Sequence, residues 1–457
     1  MSAIKLGLVG HPVEHSLSPF IHQRIMEASG ISGSYELFDV APAEMDRYAP
    51  ILVRDLHGFN CTIPHKERVI EYLDSLDPLA KRLKAVNTVY QKRGFNTDRE
   101  GFLASGVEID GKNVLLIGAG GVARMIAFEA AAKSASLTIL ARNQGKAESI
   151  AEEIRNAGID DRKACPIRVI VSECEDTGTS YDVILNATPV GMWPKCGSEP
   201  DCASYLKEGA YLFDTIYNPP ATRLVLRARK AGAKASGGLP MLFHQALAAQ
   251  KIWNPDAKFD TGRLSAIMNA LPGELLKHFP VKIVLTGFMG AGKTTVGKRI
   301  AEKLGIGFTD LDSEIERACG MSVKAIFASD GEESFRKIET KILEEFLNRG
   351  GSVIIATGGG AILRPENRCL IEERGAMTVF LNVPAESIWP RIRKENHRPL
   401  AGDGSESDAD RFMKVARLYE TRLPEYEKYC DIRIAADGEP DEVARDVIAA
   451  LGYGGEK

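Results

Sequence analysis

The sequence predicts an α/β protein of several domains built on parallel sheets. Two observations carry that expectation. Short apolar runs and helical segments alternate almost throughout, which is the pattern of βαβ layers. The chain, at 457 residues, also exceeds the roughly 100–200 residues that one domain holds. Runs that read as buried strands lie at 5–9, 114–117, 137–140, 183–186 and 211–214, with a second series at 282–286, 353–356 and 378–381. Helical periodicity marks 123–132, 242–252, 294–304 and 335–347. Leu271-Pro272-Gly273 and Phe279-Pro280 bracket a linker over 271–280, just before a fresh strand opens.

Composition narrows the class further. Hydrophobic content of 44% and charged content of 26% are those of an ordinary globular chain. A net charge of −4 gives no reason to expect nucleic acid or an anionic membrane as partner. The opening MSAIKLGLVG does not read as a signal peptide, and no apolar run reaches the roughly 20 residues that span a bilayer. Eight scattered cysteines without a CxxC pair read as reduced thiols of a cytoplasmic protein, not as a zinc site.

The most specific motif is Gly287-Phe288-Met289-Gly290-Ala291-Gly292-Lys293-Thr294, which fits GxxxxGK[ST] between a strand and a helix. Its glycines let backbone N–H groups cradle phosphates at a helix N-terminus. Lys293 would reach the β- and γ-phosphates of ATP or GTP, and the Thr294 hydroxyl would ligate Mg²⁺. Asp310-Leu311-Asp312 puts two carboxylates at the end of a further strand-like segment. One could serve Mg²⁺ through water, the other could accept an acceptor hydroxyl's proton. Phe335-Arg336 opens a helix, and Thr357-Gly358-Gly359-Gly360 closes a strand where a ligand can approach the backbone. Arg398-Pro399-Leu400 enters the acidic stretch 402–410, and Arg422-Leu423-Pro424-Glu425-Tyr426 follows it.

These signatures, in this order, resemble shikimate kinase over about 281–452. The resemblance implies a P-loop, nucleoside-monophosphate-kinase-like parallel α/β domain over 281–457. It also implies that Asp312 is the general base and that Asp310 supports the magnesium shell through water. Arg336 and Arg422 would clamp the shikimate carboxylate, a task that suits the bidentate guanidinium fork. Gly359 and Gly360 would offer N–H groups, with Phe327 and Phe335 against the ring. Met289, Gly290, Ala291, Gly292 and Thr295 would complete the ATP cradle that Gly287 opens. Arg391 would stack on adenine, and Arg398 would ride a lid over the transferring phosphate. The stretch after Arg398 is longer and more acidic than the family's.

Upstream, Gly118-Ala119-Gly120-Gly121-Val122-Ala123 follows one strand and opens a helix, with a second strand about 20 residues on. That is the GxGxxG/A fingerprint of a Rossmann dinucleotide fold, placed over 111–239. The second strand ends in Ala141-Arg142-Asn143-Gln144-Gly145-Lys146, with no acid for a ribose 2′-hydroxyl. Arg142 and Lys146 favour the 2′-phosphate of NADP instead. Before this fold, polar residues punctuate strand ends: Ser16 and Ser18, Thr62 and Lys66, Asn87, and Asp98. Each alone also suits a turn or a cap, Ser16 or Ser18 for the helix that follows.

Together these segments resemble shikimate dehydrogenase over about 1–270. The downstream motifs Asn186-Ala187-Thr188 and Tyr217-Asn218-Pro219-Pro220-Ala221-Thr222, with Gly238 and Gln245, agree. The resemblance implies a substrate domain over 1–110, joined by helices from about 240–270. Ser16, Ser18, Thr62, Asn87, Asp98, Tyr217 and Gln245 would hold the substrate, and Lys66 with Asp98 would form the catalytic pair. Asn186, Thr188 and Gly238 would join the NADP site. Ala141 stands where the family commonly has Asn, and Arg99 stands where Gly or Ala is expected, on the substrate side.

The two resemblances meet on one metabolite. NADPH-dependent reduction of 3-dehydroshikimate would yield shikimate, and MgATP would phosphorylate its 3-hydroxyl. A monomer or homodimer acting on small molecules is expected, with equal dosage a sufficient reason for the fusion and direct channelling a further idea. The alternatives are an oxidative quinate/shikimate dehydrogenase using NAD, and a regulatory pseudoenzyme. The second would carry degenerate catalytic positions, whereas Lys66, Asp98, Lys293, Thr294, Asp312 and Arg336 all stand intact.

Overall fold

The computed structural model describes residues 3–157, 165–172, 178–393 and 407–454. Its contacts divide the chain into two units. One comprises Met1–Pro189 and Pro200–Leu271, the other Val190–Glu199 and Pro272–Lys457.

The first unit holds two six-stranded sheets. Strands β1 (Ile4–Gly10), β2 (Gly33–Asp39), β3 (Gly58–Cys61), β4 (Ser75–Leu76), β5 (Thr88–Tyr90) and β6 (Arg93–Phe95) form the first, in the order β2-β1-β3-β5-β6-β4. β1 runs parallel to β2 and β3, while β5 is antiparallel to both β3 and β6. The ends of β1, β3 and β6 and the start of β5 therefore share one edge. On one face of the sheet Val9, Phe59, Cys61 and Val89 pack in one buried cluster.

β7 (Asn113–Ile117), β8 (Ser136–Leu140), β9 (Ile167–Ile170), β10 (Val183–Asn186), β11 (Tyr211–Asp214) and β12 (Lys234–Ser236) form the second sheet. The order β12-β11-β10-β7-β8-β9 is parallel throughout. Strand order reverses between β7 and β10, which opens a crevice above their carboxyl ends. The helix Leu239–Trp253 returns to the first sheet, where Trp253 Nε1 donates to the Val89 carbonyl at 2.9 Å. A methyl group at Gly58 would lie 2.3 Å from that indole nitrogen.

In the second unit β13 (Lys282–Thr286), β14 (Gly307–Asp310), β15 (Val353–Ala356), β16 (Met377–Asn382) and β17 (Ile432–Ala435) make a parallel sheet, ordered β14-β15-β13-β16-β17. Its central strand, β13, feeds the glycine-rich loop and the helix Lys293–Leu304.

Three details differ from the sequence reading. The expected linker is largely helical, because Thr261–His278 is one helix with Pro272 inside it. The helix expected to open at Phe335 belongs to a longer element, Val323–Asn348, broken at Gly331 with φ 79° and ψ 173°. Glycine reaches that backbone conformation without the Cβ penalty, and the helix resumes just after it, ahead of Phe335. The N-cap position of the helix Ser18–Ala28 is Leu17, so Ser18 opens the helix and does not cap it, while the Ser16 hydroxyl accepts the helix's first N–H.

Gly58→Ala is expected to lower the first unit's stability by about 1–3 kcal/mol, the usual cost of overpacking against a rigid ring. Calorimetry checks this, and an unchanged melting temperature would count against the packing described.

Candidate active sites

The shared edge of the first sheet assembles a polar cluster. Lys66 Nζ donates to Asp98 Oδ2 at 2.6 Å, the two side chains being 22% and 14% exposed. Asn87 Nδ2 donates to the other oxygen, Asp98 Oδ1, at 2.8 Å. Asn87 is itself fixed, its Oδ1 accepting from the Thr97 backbone N–H at 2.7 Å. Asp98 begins the helix Asp98–Ala104, and its own N–H donates to Asn96 Oδ1 at 3.2 Å. Lys66, Asn87 and Asp98 are thus one bonded group. An ion pair near a surface contributes only about 0–1 kcal/mol, so stability alone does not account for so much fixing.

Ser16 Oγ donates to Ser18 Oγ at 3.1 Å and accepts from the Ser18 N–H at 3.2 Å. Thr62 directly follows β3, its N–H bonded to the Val9 carbonyl. Gln245 backs onto the helix Asp98–Ala104, for a methyl at Gly101 would lie 3.0 Å from its Cβ, and its Nε2 donates to the Leu242 carbonyl. Tyr217 is half-buried in the turn after β11, where the Gly238 N–H donates to the Ile216 carbonyl at 2.8 Å. Arg99 does not crowd the substrate side. Its guanidinium turns to the helix Gly121–Lys133 and pairs with Glu129, Nη2 to Oε2 at 3.2 Å.

The dinucleotide site is built at the β7/β10 crevice. Gly118 leaves β7, and a Cβ there would lie 3.1 Å from Thr188 Cγ2, so the turn and the loop after β10 stand side by side. In front of Gly120 and Gly121 the space is open, and the helix Gly121–Lys133 begins there, with Val122 half-buried and Ala123 buried. Thr188 is held by its N–H and hydroxyl, both donated to Asn186 Oδ1. Arg142 and Lys146 are exposed beyond β8. Bare backbone at a helix N-terminus with two exposed cations nearby fits a pyrophosphate and a 2′-phosphate.

In the second unit Lys293 Nζ donates to the Gly287 and Phe288 carbonyls at 2.9 Å, curled over its own loop. Thr294 Oγ1 donates to Asp310 Oδ2 at 2.5 Å. Two hard oxygen donors at one place fit Mg²⁺, which takes its remaining ligands from phosphates and water. No group of three or more His, Cys, Asp or Glu side chains suited to a metal occurs among the described residues. Asp310 caps the helix Leu311–Cys319, which puts Asp312 in its first turn and not on the strand. Arg391 Nη1 donates to the Gly290 carbonyl at 3.3 Å, against the phosphate loop.

Arg336 Nη1 donates to Glu339 Oε2 at 2.8 Å, and a methyl at Gly360 would lie 2.4 Å from Arg336 Nη2. A methyl at Gly358 would be 3.0 Å from both Asp312 Oδ1 and Glu339 Oε1. Tyr426 donates to the Gly359 carbonyl from the helix Asp408–Tyr429, which also carries the half-buried Arg422. The Phe327 and Phe335 rings are 4.6 Å apart. Asp312, Arg336, Gly358, Gly359, Gly360 and Tyr426 are therefore neighbours. Arg398 and most of the acidic stretch 402–410 lie outside the described residues.

Comparison with known proteins sorts the two sites. A family model for the shikimate dehydrogenase substrate binding domain matches residues 8–89, and one for shikimate kinase matches 289–452. A shikimate dehydrogenase (NADP(+)) of Moorella thermoacetica is 36% identical over 263 residues, 54% of this chain and 87% of the relative. The chain belongs to the shikimate dehydrogenase family, with a shikimate kinase domain behind it. A solved shikimate 5-dehydrogenase from Thermus thermophilus, in complex with NADP(H) and shikimate, is 31% identical with a TM-score of 0.51. The match covers 58% of this chain and 98% of that one. A chorismate mutase/shikimate 5-dehydrogenase fusion protein from Clostridium acetobutylicum matches at 30% identity and TM-score 0.52, over 60% of this chain and 98% of that one. The chain is thus a bifunctional shikimate-pathway enzyme using NADP and ATP. No helix among the described residues is long and apolar enough to cross a membrane.

Several groups around these sites are absent from the motifs. In the dehydrogenase, Tyr35 stacks on the buried His22 at 4.2 Å and donates to Asn60 Oδ1 at 2.8 Å. Burial pushes the His22 imidazole down to about 3, so it stays neutral. In the kinase, Glu339 is fully buried and its Oε1 has no hydrogen-bond partner among the described residues. Burial pushes its carboxyl up to about 7, with Arg336 drawing it down and Asp312 raising it further. A buried acid inside an amphipathic helix gives no periodic signal, so sequence reading passed over it.

Two expectations follow. Arg142→Ala should raise the KM for NADPH about tenfold, the loss of roughly 1.4 kcal/mol, and leave the KM for NADH unchanged; equal effects on both would remove Arg142 from the 2′-phosphate. For Glu339, the folded state holds its proton to higher pH than the unfolded chain does. Its contribution to stability is therefore lost as pH rises from about 4.5 toward about 7. Melting of the kinase unit across that range should fall less steeply in Glu339→Gln, and superimposable profiles would show that Glu339 does not titrate there.

Proposed function

We propose that the bonded group of Lys66, Asn87 and Asp98 is the proton-transfer centre of the dehydrogenase. We propose equally that Asp312, beside Arg336 and the Gly358–Gly360 turn, is the base of the kinase. The single observation that carries the first assignment is the 2.6 Å Lys66–Asp98 contact at the strand edge. Bound NADPH supplies the hydride that reduces the ketone of 3-dehydroshikimate. Charge then develops on the carbonyl oxygen, and Lys66 Nζ gives it a proton. Asp98 keeps the ammonium aimed, and Asn87 keeps Asp98 from rotating. Ser16, Ser18, Thr62, Tyr217 and Gln245 hold the substrate's carboxylate and hydroxyls. Gly118 to Ala123, Asn186, Thr188, Gly238, Arg142 and Lys146 hold the cofactor.

In the kinase, MgATP supplies the phosphoryl group. Arg336 and Arg422 bind the shikimate carboxylate, and Gly359 and Gly360 receive its polar groups. Asp312 accepts the proton of the 3-hydroxyl as that oxygen attacks. Lys293, Arg391 and the loop from Gly287 to Thr295 hold the nucleotide, Thr294 and Asp310 the magnesium. Arg398, outside the described residues, is assigned to the transferring phosphate on the family resemblance alone. Both substrates are small and diffusible. None of the seven described cysteines forms a disulfide, in keeping with reaction in the reducing cytoplasm.

Lys66→Ala should cut dehydrogenase turnover by about 10²–10⁴-fold, the range for loss of general acid catalysis, and leave shikimate phosphorylation at its normal rate. Asp312→Asn should do the reverse. Steady-state assays of both reactions on both variants decide, and near wild-type turnover in the targeted reaction removes that residue from its role.

A further inference from the structure

Among the groups that the mechanism leaves unused, Asp214 has the most specific surroundings. It ends β11 directly beside Asn186, with which it is paired in the sheet register. Its carboxylate is fully buried and is held by three donors. Oδ1 accepts from Asn186 Nδ2 at 2.9 Å and from the Ile216 backbone N–H at 3.1 Å. Oδ2 accepts from Thr222 Oγ1 at 2.6 Å. Burial pushes this carboxyl up to about 6, against the pull of those three bonds.

The donors lead in different directions. Asn186 Oδ1 accepts from the N–H and the hydroxyl of Thr188, at 3.0 and 2.8 Å, and Thr188 stands against Gly118 of the turn after β7. Ile216 immediately precedes Tyr217, and its carbonyl receives the Gly238 N–H. Thr222 accepts from the Val225 N–H and so caps the helix Arg223–Lys230. One carboxylate therefore closes the loop carrying Asn186 and Thr188 onto the loop carrying Tyr217.

We propose that Asp214 is a positioning residue of the dehydrogenase that sets the cofactor loop and the substrate loop together, so that both binding sites depend on one buried carboxylate. It touches neither substrate nor cofactor. The inference rests on the reading above in which Thr188 serves NADP and Tyr217 serves the substrate. A neutral amide at 214 keeps acceptance at one oxygen but confronts Thr222 or Asn186 with a second donor. A carboxylate buried at this depth is retained where its acceptor geometry is needed, since burying it is costly.

The test is steady-state kinetics of shikimate oxidation on five single variants. Asp214→Asn is expected to raise the KM for both NADP and shikimate about five- to tenfold while kcat falls less than threefold. Asn186→Ala, which cuts only the cofactor branch, should raise the NADP KM with the shikimate KM within twofold. Thr222→Val, which removes only the helix cap branch, should move neither KM by more than twofold. Such a branch-by-branch pattern is not produced by general loosening, which would raise both constants in all three. Thr188→Ala and Tyr217→Phe report on the underlying reading. If both leave their KM values unchanged, that reading fails and the proposal with it. If both act and Asp214→Asn is silent, or shifts one KM alone, only the proposal is overturned. Should Asp214→Asn lack a cooperative melting transition, Asp214→Glu serves instead: the same rise in both constants supports the linkage, and wild-type constants overturn it.

Discussion

The 2.6 Å ion pair between Lys66 and Asp98 depends on the strand layout of the first sheet more directly than on either residue's own neighbours in the chain. Its partners are separated by 32 positions in the chain, and they meet only if β3, β5 and β6 lie side by side with the correct ends together. The antiparallel turn of β5 and the short hairpin into β6 meet that requirement. They also place Asn87, at the entry of β5, where its amide can reach Asp98 and the Thr97 backbone at once. The apolar alternation of these strands gives the sheet its buried face, and the polar residues at their ends are thereby gathered on one rim. The kinase follows the same logic with a fully parallel sheet, its phosphate loop at the end of the central strand.

Much of this was legible in the sequence because the signals are local. A phosphate loop is eight consecutive residues with a strand before and a helix after, so its conformation and purpose are written together. Gly118 to Ala123 are likewise a consecutive run, leading from a strand into a helix. The assembled clusters were legible only through family resemblance, since no local rule says that Lys66 meets Asp98 or that Arg336 lies over Gly360. Arg99 illustrates the limit: next to Asp98 in the chain it reads as an intruder, yet its guanidinium turns to the helix Gly121–Lys133, where Glu129 receives it. Proline and glycine at 272 and 273 read as a linker, but a helix carries through them.

The groups missed outright are the buried ones. Asp214 and Glu339 are carboxylates at 0% exposure, and nothing in their neighbourhood along the chain announces it. Burial makes each of them expensive, and each sits one bond away from a residue assigned to ligand. Glu339 holds Arg336, Asp214 holds Asn186. Asp214 is held by neutral donors and Glu339 by the Arg336 guanidinium, and burial raises both carboxyls, to about 6 and about 7.

The central claim is that two complete sites on one polypeptide handle the same cyclohexene carboxylate in succession. The most direct measurement supplies the purified chain with 3-dehydroshikimate, NADPH and MgATP, and follows NADPH loss and ADP formation in one vessel. The account predicts that both proceed to the same final amount, with ADP formation lagging until shikimate accumulates. NADPH consumed with no ADP formed, or no reaction of either cosubstrate, would contradict it.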